Sequence, residues 1–452
     1  MSVDVDLAVV GAGLSGLVAA RNAQRAGLRV VVIEARNRPG GRIWSRSIHG
    51  GEMIEMGGQY LGPTQDRILA LAAELGVETF PCYDEGDRFV SIGGRRDVAL
   101  GLIEDTVEKL ERMAAELPLG APWAAERARE WDAQTLRTWM QAHLPDPTGQ
   151  ALLRFVVRAI FTAEADELSL LHVLAYIRSA GSLTLLTQTR GGAQEWRIVG
   201  GSQVIADRLV DSLGADSVRL GCPVRRIVQS GEIVTVEAEG APLRARKAVV
   251  AVPIPLADRI AYSPALPGYR SQLHQRMSPG ATVKINCVYP EPFWRAAGHS
   301  GRSLTDEGFV SVTFDNCPAS GTPGVLVAFI EADAARQFAR LSAGARRSAV
   351  LDHLVRVFGP RAAEPLEYLE QDWSDEEWTR GCYGANFGPG GWTRYGQVLR
   401  EPFGHLYWAG AETSPIWMNY MDGAVRSGER AAAEVVNALA SSGVTGVRGV
   451  RG

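Results

Sequence analysis

The segment at residues 5–42 constrains the fold more than any other stretch of this chain. It reads VDLAVVGAGLSGLVAARNAQRAGLRVVVIEARNRPGGR. An apolar run leads into the turn Gly11-Ala12-Gly13-Leu14-Ser15-Gly16, a helix-like segment follows, and a second β-branched run ends at Glu34. This order of strand, glycine turn, helix, strand and acid is typical of a Rossmann-like unit. The sequence therefore predicts an α/β fold that binds a dinucleotide.

The three glycines of the turn have separate physical roles. Gly11 allows the tight turn, Gly13 lets a pyrophosphate approach the backbone, and Gly16 lets helix and strand pack closely. The phosphates would lie at the helix N-terminus, where free N–H groups and the helix dipole favour negative charge. Glu34 stands where a carboxylate can accept hydrogen bonds from ribose hydroxyls. The turn alone does not distinguish FAD from NAD.

Composition excludes several classes of protein. A length of 452 residues with a net charge of −4 fits a two-domain globular chain and gives no reason to expect nucleic acid as a partner. No apolar run approaches the ~20 residues that cross a bilayer, and no basic region precedes the first strand as in a signal peptide. The five cysteines are scattered and the histidines lack metal-ligand spacing. We therefore expect a cytoplasmic protein without a membrane anchor, a disulfide framework or a bound metal.

The pattern further along the chain predicts a discontinuous cofactor domain. Helices are predicted at 64–76, 198–213 and 421–439, and strands at 218–220, 224–228, 233–237, 248–252 and 406–409. We assign the Rossmann-like cofactor-binding domain to 1–85, 195–255 and 385–440, the substrate domain to 86–194 and 256–384, and a disordered tail to 441–452.

The substrate domain is predicted to combine a mixed sheet with a helical lobe. Apolar residues recur at helical spacing between 100 and 180, with prolines at the breaks. Trp123, Trp131 and Trp139 in this lobe are expected to pack rather than react. Strands at 281–289, 308–314, 324–330 and 366–372 would form the floor of a substrate site.

Laid end to end, these segments resemble the flavin-dependent monoamine oxidases along nearly the whole chain. The stretches that carry the resemblance include Arg38-Pro39-Gly40-Gly41-Arg42 after the first acid, GGQYLGPTQDRILALAAELG, TAEADELSLLHVLAYI, MSPGATVKINCVYPEPFW, RGCYGANFGPGGWTRYGQVLREP and LYWAGAETSPIWMNYMDGAVRSGERAAAEV. The C-terminal membrane helix of the mitochondrial members is not seen, so we expect a soluble, bacterial-type member. The resemblance implies an FAD enzyme that oxidises a primary amine with O2 to an imine, and so to an aldehyde, ammonia and hydrogen peroxide.

The resemblance assigns catalytic roles to three residues. Lys284 by itself would be expected to be a solvated strand lysine. The family pattern implies instead that it holds a water beside flavin N5 and assists amine oxidation or flavin reoxidation. Tyr383 and Tyr420 match the aromatic pair that stands in front of the flavin, between whose rings the amine passes. Their retention favours simple amines as substrates.

The resemblance also implies a set of FAD contacts. Glu34 would bind the adenosine ribose, and Val224 would contact adenine through its backbone. Cys382 occupies the position where some members bind FAD covalently through a thioether, a linkage that the sequence leaves open. The implied cofactor-binding residues are Gly11, Gly13, Ser15, Gly16, Glu34, Arg42, Gly57, Gly58, Tyr60, Val224, Cys382, Glu412 and Met421.

Five residues fall where the family's substrate cavity is lined: Leu186, Thr187, Gln194, Val312 and Phe329. Thr187 and Val312 are smaller or more polar than the bulky gate residues of the mitochondrial enzymes, so the preferred amine stays open. The oligomeric state is also open, with a homodimer among the alternatives.

Three other functions remain as alternatives. A diamine or polyamine oxidase would need an acid for the far ammonium, for which Glu331 is a candidate, although a helix-start acid is ordinarily solvated. An amino-acid oxidase would need an arginine for the carboxylate, and Arg190 and Arg197 are near the cavity residues in sequence. An inactive flavin-binding scaffold is the third alternative, and retention of Lys284, Tyr383 and Tyr420 argues against it.

Overall fold

A parallel set of buried strands positions the glycine turn. In the computed structural model, which describes residues 3–444, strand Val5–Val10 pairs in parallel with Val30–Ile33 on one side and Leu243–Val250 on the other. All three strands are almost wholly buried, as expected for parallel strands covered on both faces. The turn after Val10 leads into helix Leu14–Arg25. The predicted Rossmann-like arrangement is confirmed.

The chain divides into two compact units, and the first comprises residues 1–41, 203–275 and 397–452. Its sheet has the strand order Ala261–Ser263, Arg226–Ser230, Ile233–Glu237, Leu243–Val250, Val5–Val10, Val30–Ile33 and Val218–Arg219, with Leu406–Trp408 also paired to Leu243–Val250. Its helices are Leu14–Arg25, Gln203–Leu213, Gly268–Arg276 and Met421–Val444.

The second unit comprises residues 42–202 and 276–396. Its main sheet is mixed, because every neighbouring pair is antiparallel except His299–Thr305 with Asp87–Ile92. The strand order is Glu367–Asp372, Thr282–Tyr289, Gly324–Glu331, Val312–Asp315, His299–Thr305, Asp87–Ile92 and Arg95–Arg96. Short two-stranded pairs join Ser45–Ser47 to Met53–Glu55, Thr79–Pro81 to Trp196–Ile198, and Met277–Pro279 to Ala385–Phe387.

The helical lobe lies in this second unit, as the spacing predicts. Its helices are Glu104–Ala115, Ala128–Asp132, Leu136–His143, Pro147–Phe161, Leu170–Ala180 and Leu183–Thr187. The other helices of the unit are Asp66–Glu74, Phe293–Ala296, Ala332–Phe338, Ala343–Phe358 and Gly391–Tyr395. Trp131 and Trp139 are buried, and Trp123 stacks on Trp392 at 6.0 Å between ring centroids. These tryptophans pack, as expected.

Several element boundaries differ from the sequence expectations, and a strand was not predicted. The helix predicted from 198 begins at Gln203, because Trp196–Ile198 is a strand and Gly200 and Gly201 follow with positive φ. The last helix runs to Val444 rather than 439, so residues 441–444 of the predicted tail are helical and 445–452 lie outside the described residues. Strand His299–Thr305 was not predicted, since its sequence HSGRSLT is polar.

The structure divides the chain by packing, so the assignment of one domain to the cofactor and the other to the substrate stays a prediction. By packing, the chain is cut after Gly41, Ser202, Gln275 and Gly396, so residues 42–85 belong to the second unit. Across residues 3–444, no helix is both long and apolar enough to span a membrane.

A glycine in the last helix permits its contact with the first. A Cβ at Gly428 would lie 2.9 Å from Val18 Cβ and would also overlap the Ser15 carbonyl. We predict that Gly428→Leu lowers the free energy of unfolding by about 2 kcal/mol through overpacking. Denaturant unfolding checks this against Ala433→Leu, on the exposed side of the same helix, which should change stability by less than about 0.5 kcal/mol. Equal effects of the two variants would contradict it.

Candidate functional site

Two glycines of the first unit are required by packing. Gly11 has a φ of +107°, and a Cβ there would lie 2.9 Å from the Ala251 carbonyl oxygen. A Cβ at Gly16 would overlap the carbonyl oxygen of Gly11. Any larger residue would therefore separate the first helix from the strand before it. These are the roles that the sequence predicts for both positions.

Gly13 differs, because space is open around it. A Cβ there would have no described atom within 4 Å. Gly13 immediately precedes helix Leu14–Arg25, and no side chain among the described residues caps that helix. Gly40 donates from its amide to the Ala12 carbonyl at 2.8 Å, which holds the second glycine pair against the turn. Free helix N–H groups beside open space fit the pyrophosphate of FAD.

Glu34 is tied to the glycine turn. Its Oε2 accepts from the Ala12 amide at 2.7 Å, and its Oε1 accepts from the Arg36 amide at 2.9 Å. A carboxylate has further lone pairs, so these bonds leave it able to accept from a ribose hydroxyl. The predicted ribose contact stays a prediction.

The other first-unit candidates lie at the ends of elements. Ser15 and Glu412 are buried, Val224 precedes strand Arg226–Ser230, and Met421 begins the last helix. Tyr420 packs its ring edge-on against Trp417, with centroids 4.8 Å apart. Its predicted pairing with Tyr383, which belongs to the second unit, stays a prediction.

Sheet register in the second unit brings several predicted residues together. Phe329 lies on the central one of three adjacent strands. Its partner on one neighbouring strand is Lys284, and its partner on the other is Val312. Because directly opposed residues project from the same face of a sheet, these three side chains share a face. Asn286 and Glu331 lie two residues along their strands from Lys284 and Phe329, and so lie on this face as well.

Lys284 is buried in this face, with only 2% of its surface exposed. Its Nζ donates to the Gly57 carbonyl oxygen at 2.8 Å and to Gln59 Oε1, and it lies 5.5 Å from the Phe329 ring centroid. The pKa of the amine is lowered to about 7, mainly by burial; Arg197 adds to this effect, and Glu55 opposes it. The expectation of a solvated lysine, drawn from the residue alone, is wrong because distant segments supply both acceptors.

A buried ion pair acts electrostatically on the lysine. Arg197 Nη2 and Glu55 Oε2 are 2.7 Å apart, with side chains 3% and 0% exposed, and Arg197 Nη1 donates to the Cys317 carbonyl at 2.7 Å. Arg190 is the other arginine considered for a substrate carboxylate. It is exposed, and its Nη2 lies 3.5 Å from Glu85 Oε1. Both arginines thus have other carboxylate partners, and nothing in their contacts favours an amino-acid oxidase.

Glu331 is also buried, at 3% exposure, so the expectation of a solvated helix-start acid is wrong. Its carboxylate accepts from the Tyr383 hydroxyl at 3.3 Å and from the Ser311 hydroxyl. Burial raises the pKa of this carboxyl to about 7, and the two hydrogen bonds oppose the rise. The Tyr383 ring stands nearly perpendicular to Phe329, with centroids 6.4 Å apart. Glu331, Tyr383 and Phe329 therefore form one cluster.

The backbone around Cys382 is fixed by side chains from elsewhere in the unit. Thr162 donates its hydroxyl to the Cys382 carbonyl, and Arg42 Nη1 donates to the Tyr383 carbonyl at 2.8 Å. The peptide bond between Cys382 and Tyr383 is cis. The Cys382 thiol is buried and is not part of a disulfide.

Residues 57–60 combine close packing with an unsatisfied hydroxyl. A Cβ at Gly57 would overlap the Arg42 carbonyl, and the Gly58 carbonyl accepts from the Ser202 hydroxyl at 2.6 Å. The Tyr60 hydroxyl is buried and has no hydrogen-bond partner among the described residues, and burial raises its pKa. An unpartnered buried hydroxyl and this close backbone fit a group that the protein binds.

The remaining cavity candidates lie around one short helix and its following loop. Gln194 Nε2 donates to the Leu186 carbonyl at 3.0 Å, and the Thr187 hydroxyl donates to the Leu183 carbonyl at 3.1 Å. Arg302 Nη2 donates to the Thr187 carbonyl at 3.4 Å and its guanidinium lies 5.2 Å from the Phe314 centroid. This arginine connects the loop to the sheet that carries Val312 and Phe329.

Sequence reasoning missed the polar residues that surround Lys284. Gln59, Asn286 and Asn316 are buried and hydrogen-bonded near it, and Ser311 and Thr162 hold Glu331 and Cys382. One signal was available, since Asn286 places a second polar side chain on the same face of this largely apolar strand, two residues after Lys284. The partners of Asn286 come from separate segments, so no local pattern shows them.

Comparison with known proteins gives consistent matches over nearly the whole chain. A family model described as flavin containing amine oxidoreductase matches residues 14–436. The flavin-containing amine oxidase B of Homo sapiens is 37% identical over 456 residues, covering 97% of this chain and 87% of that protein. A Dictyostelium discoideum protein named "probable flavin-containing monoamine oxidase A" is 36% identical, covering 98% and 100%.

Solved structures match equally well. Putrescine oxidase bound to putrescine has a TM-score of 0.92 at 35% identity, covering 96% of this chain and 99% of that one. Cyclohexylamine oxidase from Brevibacterium oxydans has a TM-score of 0.92 at 32% identity, covering 97% and 100%.

The buried ion pair gives a stability prediction. Arg197→Met should lower the free energy of unfolding by about 3–5 kcal/mol, because it leaves the Glu55 carboxylate buried without its partner. The double variant Glu55→Leu/Arg197→Met should recover most of the loss. Denaturant unfolding measures both, with exposed Arg190→Met as the control. A single variant as stable as this control would refute the assignment.

Proposed function

Since this chain belongs to the family of flavin containing amine oxidoreductases, we propose that it oxidatively deaminates a primary amine with O2 as the oxidant. Amine oxidation and the FAD cofactor come with the family. Bound FAD would supply the redox chemistry: the amine would lose a hydride equivalent from its α-carbon and a proton from its nitrogen, and these two electrons and two protons would reduce O2 to hydrogen peroxide. The imine then takes up water to give an aldehyde and ammonia.

Residues of each unit, taken separately, support contacts with FAD. The open space at Gly13, the packing of Gly11 and Gly16, and the Glu34 carboxylate support a nucleotide site with Ser15, Val224, Glu412 and Met421. The close backbone at Gly57 and Gly58, the unpartnered Tyr60 hydroxyl and the Arg42 bond to Tyr383 support contacts from the second unit. Cys382 is a candidate for a thioether link, and acid precipitation would show whether the yellow colour stays with the protein.

The observation that carries the catalytic proposal is the buried Lys284 amine. Two carbonyl oxygens hold its Nζ, and burial lowers its pKa to about 7. Near neutral pH this amine both accepts and releases a proton readily, which suits it to hold a water or an amine in the site. Phe329 and Val312 share its sheet face and supply apolar surface for an alkyl chain.

The cluster at Tyr383 supports the orienting of substrate. Its ring is held by the hydroxyl bond to Glu331 and by the edge-on contact with Phe329. An aromatic face attracts an amine nitrogen, and a fixed ring costs little entropy on binding. We assign Tyr383 and Tyr420 to orienting the amine, and Leu186, Thr187 and Gln194 to lining its path. None of the five cysteines, all within residues 3–444, forms a disulfide, which supports a cytoplasmic location.

A diamine oxidase is the second candidate, and the burial of Glu331 favours it. A carboxylate beside Tyr383 is placed to meet the far ammonium of a diamine. The structural neighbour bound to putrescine is consistent with this reading.

Anaerobic mixing of the holoenzyme with a panel of amines tests the function directly. We predict that primary amines bleach the visible flavin absorbance, and that the rate of bleaching at low amine concentration rises with pH. The reason for the rise is that only the neutral amine reacts, so the reactive fraction grows as the substrate ammonium loses its proton. A rate that stays flat from mildly acidic to well above neutral pH would contradict this mechanism. Failure of every amine to bleach the flavin would support an inactive scaffold.

Comparison of butylamine with putrescine separates the two candidates. For a monoamine oxidase we predict that butylamine has the higher kcat/KM, and that Glu331→Gln changes the ratio of the two by less than about two-fold. Asp333→Asn, at an exposed acid on the helix that follows, is the matched control. The monoamine proposal fails if putrescine is favoured by about ten-fold or more and this advantage is lost in Glu331→Gln alone.

A further inference from the structure

Three buried amide side chains link Lys284 to a fixed backbone group. Gln59, which accepts from Lys284, donates from Nε2 to Asn316 Oδ1 at 2.7 Å. Asn316 Nδ2 donates to Asn286 Oδ1 at 2.8 Å, and Asn286 Nδ2 donates to the Glu55 backbone carbonyl at 3.3 Å. All three residues are at most 3% exposed. The chain of bonds therefore runs through protein interior from Nζ to the backbone.

The Glu55 backbone carbonyl determines which way each side-chain amide in this series places its NH2 group and its oxygen. A carbonyl oxygen only accepts, so Asn286 must turn its NH2 group toward Glu55 and its oxygen toward Asn316. Asn316 must then offer its NH2 group to Asn286 and its oxygen to Gln59. Gln59 in turn donates to Asn316 and presents its oxygen to Lys284. Reversal of any one amide would place donor against donor or acceptor against acceptor in a buried site, at a cost that burial makes large.

Besides its bond to Cε, the Lys284 nitrogen has three directions for N–H groups or a lone pair, and the two acceptors account for two of them. A neutral amine has two N–H groups, which Gly57 and Gln59 accept, and its lone pair then occupies the third position. An ammonium has three N–H groups, and the third is directed to the same place. In either protonation state, the orientation of Gln59 decides where the free position of Nζ points.

We propose that Gln59, Asn316 and Asn286, anchored on the Glu55 carbonyl, are positioning residues that aim the free position of the Lys284 amine at the reacting amine or water. This inference rests on the proposed catalytic role of Lys284. None of the three amides needs to touch a ligand for this. Their effect passes through the position and the proton affinity of Nζ.

The charged and titratable groups around Lys284 decide the sign of the expected changes. Glu55 and Cys382 favour the ammonium, whereas burial and Arg197 disfavour it. Loss of the Gln59 acceptor removes a bond that the ammonium makes more strongly than the amine, so it lowers the pKa of Lys284. A carboxylate at position 59 adds a negative charge next to Nζ and raises that pKa.

The test uses rapid mixing of the holoenzyme, followed in both half-reactions across pH. The half-reaction that Lys284→Met slows is the readout. Asn316→Leu, which breaks the series without touching Lys284, should slow it about ten-fold and should move the Lys284-dependent part of the pH profile to lower pH. Gln59→Glu should move it to higher pH by about one pH unit. Thr313→Val, at a buried hydroxyl on the opposite face of the same sheet, should leave the rate and the profile unchanged.

A double-mutant comparison separates positioning from general damage. In the Lys284→Met background, Asn316→Leu should cause no further loss, because the residue it acts through is gone. The same ten-fold loss in both backgrounds would overturn the inference and leave the proposed function intact. No slowing of either half-reaction by Lys284→Met would overturn the inference together with the catalytic role proposed for Lys284, while amine oxidation itself is tested by the bleaching of the unmodified holoenzyme. FAD content and thermal unfolding are measured for each variant. If Asn316→Leu does not fold, Gln59→Glu is the test: a shift of the pH profile to higher pH supports the inference, and an unchanged profile overturns it.

Discussion

The buried amine of Lys284 is the constraint around which the second unit is arranged. A lysine nitrogen removed from water requires acceptors, and here both are neutral carbonyl oxygens from residues 57 and 59. Neutral acceptors compensate only part of the cost of burying the charge, so the pKa falls to about 7. Glu55 and Arg197, which shift this pKa in opposite directions, pair with each other at 2.7 Å. The amine therefore changes its protonation near neutral pH, where a group that exchanges protons with an amine substrate is most useful.

Strand register delivers the groups that this amine needs. Strand Gly324–Glu331 pairs antiparallel with Thr282–Tyr289 on one side and with Val312–Asp315 on the other. This pairing places Lys284, Phe329 and Val312 directly opposite one another on adjacent strands. A shift of one residue in either pairing would turn alternate side chains to the other face of the sheet. Glu331 continues the same strand and meets Tyr383, which adds an aromatic ring and a second titratable group. Sheet and cluster together make a surface with an apolar centre and two groups that titrate near neutral pH.

The sequence predicts the parts of this arrangement that depend on local pattern. The glycine turn at 11–16 predicts its own geometry, because Gly11 and Gly16 are the residue types that such close packing admits. The helical lobe follows from spacing and proline breaks. Burial at Lys284 and Glu331 is not visible locally, since both stand where a solvated charge is ordinary and their partners are remote in sequence. The resemblance implies a catalytic role for Lys284, but Gln59, Asn286 and Asn316 emerge only when the segments are brought together. Strand His299–Thr305 was missed for a related reason, because its pairing rather than its composition makes it a strand.

Direct titration of Lys284 tests the central claim most closely. The chain contains only three lysines, Lys109, Lys247 and Lys284. Labelling lysine with ¹³C at Cε therefore gives three signals in the holoenzyme, and the one that Lys284→Met removes belongs to Lys284. A midpoint near pH 7 is the predicted result. A midpoint close to 10.5, the ordinary value for lysine, would show a permanently charged amine and would contradict the account.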